Sequence, residues 1–154
     1  MTQDEIRRHL GANSAVRTQI AAEGDGSPQI AWSDTFFFIR GQDGKPGNMP
    51  FTTLVTKDYD GFDSDSRLNR GGLYRLNIEV GKGRFEQLFG FKPAALAEHR
   101  DRFDFTALDT LFPHPLYGPH GWVSIINPLR DREAVIALLD FSRNRALEKT
   151  SARA

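Results

Sequence analysis

Hydrophobic and polar positions along this chain change period several times, and each change marks an element. Thr2 followed by Glu5 reads as a capping box, with Ile6 and Leu10 four apart on one helical face. This helix is expected to end at Gly11, which suits a left-handed cap. From Val16 the period becomes two: Val16, Thr18, Ile20 and Ala22 alternate with Arg17, Gln19 and Ala21, predicting a strand over 16–22. Gly24, Asp25 and Gly26 read as a hairpin turn, because glycine supplies positive φ, and residues 30–39 supply the returning strand. A loop is expected over 41–50, then a β-branched strand over 51–57.

Residues 58–72, rich in Gly, Asp and Ser, read as a long solvated loop. Over 73–80 the alternation is clearest. Tyr74, Leu76, Ile78 and Val80 point one way and Arg75, Asn77 and Glu79 the other, which predicts an antiparallel sheet with one packed and one wet face. Phe85, Leu88 and Phe89 keep helical spacing and stop at Gly90; a second short helix starts at Pro93 and buries Leu96. Residues 103–106 read as a brief extended piece. The proline- and glycine-rich run 113–121 is expected to be irregular, leading into a strand over 122–127. Asp131 caps a terminal amphipathic helix with Val135, Leu138, Leu139 and Ser142 on one face, and the tail after Glu148 is expected to fray. The pattern predicts a single α+β domain: a mainly antiparallel sheet with helices on one face.

Composition narrows the function classes. The 154 residues include no cysteine, which excludes disulfides, thiolate nucleophiles and Cys-ligated metals. Twenty Lys+Arg against twenty Asp+Glu leave a net charge of +0, so no global field favours nucleic acid or an anionic membrane. The first ten residues are polar and helix-like, unlike the apolar core of a signal peptide, and no apolar run has membrane-helix length. The expectation is a cytoplasmic protein without a membrane anchor.

Several segments together carry a resemblance. They are Gly24-Asp-Gly-Ser-Pro-Gln-Ile-Ala-Trp-Ser-Asp-Thr-Phe-Phe-Phe38, Pro50-Phe-Thr-Thr-Leu-Val-Thr-Lys-Asp-Tyr59, Leu73-Tyr-Arg-Leu-Asn-Ile78, Pro113-His-Pro-Leu-Tyr-Gly118 and Gly121-Trp-Val123. With them the chain resembles the domain-of-unknown-function family numbered 6194, a likeness that implies membership and carries no activity. The last third, with its proline-rich turn, Gly-Trp strand and closing helix, is similar to the ending of MmcQ/YjbR-like domains. That likeness implies an α+β fold sometimes compared with double-wing DNA-binding folds, and nucleic-acid binding would follow only from it.

Candidate chemistry is sparse. His114 and His120 share one loop and could converge on an ion with Asp109 or Asp34, but two histidines make an incomplete ligand set, so no metal or other cofactor is expected. Ser33, Asp34, His114 and Ser124 supply the residue types of a nucleophilic site without its spacing. Asp58, Asp60, Asp63 and Asp65 read as solvated loop acids, since Gly61 falls in the wrong place for a calcium loop. Arg67, Arg70 and Arg75 with Lys57 form the most suggestive polar set. Forked guanidiniums there would suit an anion, whereas the plain alternative is a face of cross-strand ion pairs. The leading expectation is therefore a domain binding a small ligand, an anion in the sharper form of the reading, or a protein partner, with Arg70, Arg75, Asn77, His114, Asp34 and Lys57 as the ligand-binding residues. The alternative is a small enzyme acting on an anionic substrate through His114, Asp34 and Arg75.

Overall fold

The computed structural model describes residues 1–41 and 49–152. Its framework is an antiparallel sheet of six strands: β1 Val16–Ile20, β2 Thr35–Ile39, β3 Thr52–Val55, β4 Arg75–Glu79, β5 Phe112–Pro113 and β6 Trp122–Ile126. Their order is β1-β2-β3-β4-β6-β5. Helices α1 Gln3–Gly11, α2 Gly81–Phe89, α3 Leu96–His99 and α4 Arg132–Ala152 complete the α+β domain.

The register separates the side chains into two faces. Leu54 lies opposite Leu76, which lies opposite Ile125, and Phe37, Thr52, Ile78 and Val123 form the next row. All four helices add to this face: Ile6 and Leu10 from α1, Phe85 from α2, Leu96 from α3, and Val135, Leu138 and Leu139 from α4. The expected burial of Tyr74, Leu76, Ile78 and Val80 in one core with α4 is what the structure has. At roughly 1.5–3 kcal/mol per fully buried large apolar side chain, this face is the main source of stability.

Local chemistry explains most boundaries. Thr2 and Glu5 form the capping box, and the Asp131 carboxylate accepts the Ala134 N–H at the start of α4. Gly90 closes α2 in the left-handed conformation. Gly24 and Gly26 take positive φ in the β1–β2 connection. Three expectations are corrected. Gly11 is still helical, and the chain leaves α1 through Ala12 in a right-handed conformation. Residues 29–31 form a 3-10 turn, so the returning strand begins only at Thr35. Pro113 lies within the two-residue strand β5, and residues 118–120 make a 3-10 turn rather than irregular chain. The terminal helix runs through Ala152, the last described residue. The loop expected at 41–50 falls mostly outside the described residues.

The largest correction concerns the face expected to be wet. Arg75 and Asn77 are each 1% exposed, because residues 58–70 and 113–121 fold over that side of the sheet. Glu79, at the end of β4, pairs with Arg145 and Lys149 of α4. The alternation itself stands, but both faces are covered.

Candidate functional site

On the loop-covered face, β4 presents Arg75 and Asn77 to two loops that carry little regular structure. The first is stitched to itself: Tyr59 and Asp63 exchange backbone hydrogen bonds, and the Asp58 carboxylate accepts the Leu68 N–H. This holds Asp63 over Arg75. The guanidinium then grips Asp63 with both forks, Nη1 to Oδ1 at 3.1 Å and Nη2 to Oδ2 at 2.5 Å. Nη1 also donates to Ser66 Oγ and Nε to Asn77 Oδ1. Asn77 Oδ1 accepts the Ser124 hydroxyl too, and its amide donates to Thr53. Two forked bonds and these neighbours make a buried charge tolerable where an unpaired one would not be.

The second loop brings His114. Its own N–H extends the β5 ladder to the Trp122 carbonyl, while its Nδ1 accepts the N–H groups of Leu116 and Tyr117 at 3.0 and 2.9 Å. Nε2 lies 3.2 Å from Arg75 Nη2 and 3.9 Å from Asp63 Oδ2. Burial, aided by the Arg75 cation, pushes the imidazole well below its ordinary pKa of 6.5, so it is neutral. The turn depends on Gly121, whose φ of 88° is left-handed and whose absent Cβ would stand 2.8 Å from the Gly81 backbone.

A pocket of about 240 Å³ opens above this cluster. Phe36, Thr53, Val55 and Asn77 form its floor, with Tyr59, Phe62 and Asp63 from one loop, His114 and Tyr117 from the other and Trp122 of β6 as walls. Phe62 and Tyr117 meet edge to face with ring centres 6.4 Å apart, and Tyr117 and Trp122 are also 6.4 Å apart. Tyr59 is fixed by fully buried Asp34, which accepts its hydroxyl at 2.6 Å together with the Thr56 N–H and hydroxyl and the Lys57 ammonium. Burial and this carboxylate hold the Tyr59 phenol protonated, its pKa well above the ordinary tyrosine value.

The expected site residues therefore divide. Arg75, Asn77 and His114 do come together, and Asn77 and His114 reach the pocket. Asp34 and Lys57 stand behind Tyr59, with Lys57 also donating to the Trp32 carbonyl. Arg70 turns away to the carbonyls of Ser66, Arg67 and Thr106. His120 lines a different groove beside Gly81 and Arg145, and Asp109 is occupied by Arg130 and the Leu129 N–H, so neither joins His114. No group of three or more metal-ligating side chains occurs among the described residues. The sequence does not single out Tyr59, Phe62, Tyr117 or Trp122, and it reads Asp63 as a solvated loop acid, whereas Asp63 is mostly buried against Arg75. The run Phe36-Phe37-Phe38 was the available signal, since three successive aromatics in a strand must supply both faces.

The architecture is thus a helix-backed antiparallel sheet whose other face holds one aromatic pocket over an internally paired polar cluster. A profile of the family of unknown function DUF6194 matches residues 1–154, and the chain belongs to that family. Comparison with curated proteins and with solved structures returned no match. No helix among the described residues is long and apolar enough to cross a membrane.

Proposed function

We propose that this domain binds a small, uncharged, largely apolar ligand in the aromatic pocket. The observation that carries the reading is the contrast between the pocket's lining and the cluster beneath it. Five aromatic side chains converge on a cavity just below the ~300–1,000 Å³ usual for drug-sized ligands, with few polar groups among them. Arg75, the cation that would attract an anion, is already forked onto Asp63, and Asp63 itself borders the cavity as a carboxylate. Met49, Phe62 and Tyr117 stay exposed around the opening although apolar side chains gain by burial. The pocket and its fittings supply recognition; Asp34 and Arg75 position the walls.

The test is a thermal-shift screen of neutral aromatic fragments alongside phosphorylated and carboxylated metabolites. Neutral fragments should raise Tm in the parent and lose that effect in a Phe62→Ala/Tyr117→Ala double variant. Stabilisation by anions alone, or hits that survive the double variant, would remove the basis for this reading.

A further inference from the structure

Among the described residues, one donor on His114 has no acceptor. Two backbone N–H groups point at Nδ1, at 3.0 and 2.9 Å, so Nδ1 must carry its lone pair. A proton there would set three N–H groups against one another. A neutral imidazole has one N–H, which therefore sits on Nε2. Yet Nε2 faces Arg75 Nη2 at 3.2 Å, itself a donor, and Asp63 Oδ2 at 3.9 Å, which is beyond hydrogen-bond reach. His114 is 2% exposed, so bulk water does not serve this N–H freely. It borders the pocket. A buried donor left unsatisfied is costly, so an acceptor offered from the pocket is favoured.

We infer that His114 is the pocket's hydrogen-bond donor, its Nε2–H selecting a neutral ligand that carries a carbonyl-type oxygen. The inference rests on the pocket reading above and makes it specific. A carbonyl oxygen accepts from Nε2–H, while the ligand's planar body meets the rings of Tyr117 and Trp122. A carboxylate would gain the same bond but meet the Asp63 carboxylate, so the neutral acceptor is preferred.

Two measurements decide it. Long-range 1H–15N spectra of the parent should show a bare Nδ1 and a protonated Nε2 on the His114 ring. A proton on Nδ1 overturns the inference whatever the pocket binds. Binding is then read by NMR with acetophenone, α-methylstyrene and benzoate, which share one size and near-planar shape but carry a carbonyl, a methylene and a carboxylate. His114→Asn keeps an oxygen where Nδ1 accepts the Leu116 and Tyr117 amides and removes Nε2–H. The affinity ratio of acetophenone to α-methylstyrene should fall about three- to tenfold in this variant, the range one neutral hydrogen bond supplies. An unchanged ratio overturns the role of His114 and leaves the pocket standing. Failure of all three probes to shift the Tyr117 and Trp122 resonances overturns the pocket reading and this inference with it. Benzoate binding tightest would reject the neutral class. Should His114→Asn fold poorly, movement of the parent's Nε2–H resonance on adding acetophenone, absent with α-methylstyrene, decides the matter alone.

Discussion

The two faces of the sheet are built from the same strands but closed by different physics. Helices cover one face, and α1, α2 and α4 bring apolar stripes that pack without directional bonds. Loops cover the other, and loops have no such stripe. They are held instead by directional contacts to sheet side chains: Asp63 and Ser66 on Arg75, Tyr59 on Asp34, and the 114–117 turn on its own imidazole. Side chains that reach across for specific partners do not fill space as densely as interlocking helices, and the gap that remains is the aromatic pocket. A small apolar cluster of Val55, Leu68, Phe112 and Ile126 supports the loop side, far smaller than the core opposite.

The comparison breaks most sharply at Arg75. Arg75→Met leaves the Asp63 carboxylate largely enclosed and unpaired, with an expected cost of about 3–5 kcal/mol in chemical denaturation. A cost under 1 kcal/mol would mean that the loop simply opens and that charge does not hold it. On the helical face, Leu76→Ala should cost about 2–5 kcal/mol through a cavity in the core. The two losses should differ in kind: the Arg75 variant should lose hydrogen-exchange protection locally in the 58–70 loop, the Leu76 variant throughout the sheet.

Acid sharpens the contrast further. The folded pKa of His114 lies below the unfolded value near 6.5, so the unfolded chain binds the extra proton first. The His114 contribution is therefore present above about pH 6.5 and is lost as pH falls below it toward the depressed folded value. Arg75, Asp63 and the Tyr117 phenol are the ionisable groups facing the ring. Stability measured from pH 7 down to 5 should decline in the parent and flatten in His114→Asn; parallel curves would contradict the buried neutral imidazole.

The smallest expected effect lies on the helical face. Thr52 is fully buried there between Phe37 and Ile78, and its hydroxyl finds no partner among the described residues. Thr52→Val should raise stability by about 1 kcal/mol in the same denaturation assay, since it removes an unpaired polar atom at constant shape. The corresponding change at Ser124, whose hydroxyl donates to Asn77, should instead be destabilising by about as much. Equal signs for the two would erase the distinction between the faces.

Sequence carried the helical face and not the other. The period-two pattern of Leu76 and Ile78, the helical spacing of Val135, Leu138 and Leu139, and the Thr2–Glu5 cap are local signals, and the core they specify is the one observed. Arg75 and Asn77 also alternate correctly, but alternation reports which side a residue takes and not what covers that side. The covering segment, residues 58–72, has the composition of solvated chain because its anchors are polar. Asp63 and Arg75 are twelve positions apart, a separation that no helical or strand period links. The proximity of His114 to Arg75 depends on where β5 docks, which is a tertiary outcome.

The strand order also shapes how quickly the chain can fold. β1, β2, β3 and β4 are neighbours in the sheet in the order of synthesis, so each of their ladders closes a shorter connection than the one that leads to β6. β6 must pair with β4 across the whole excursion of α2, α3 and β5. The first four strands can thus assemble as a nucleus, with β6 arriving late and completing both faces at once. In that sequence of events Val123→Ala, on β6, accelerates unfolding with little change in the folding rate, whereas Phe37→Ala, on β2, slows folding. The reverse partition would place β6 in the nucleus. In that order of events the pocket closes only when β6 brings Trp122 and Ser124 into place.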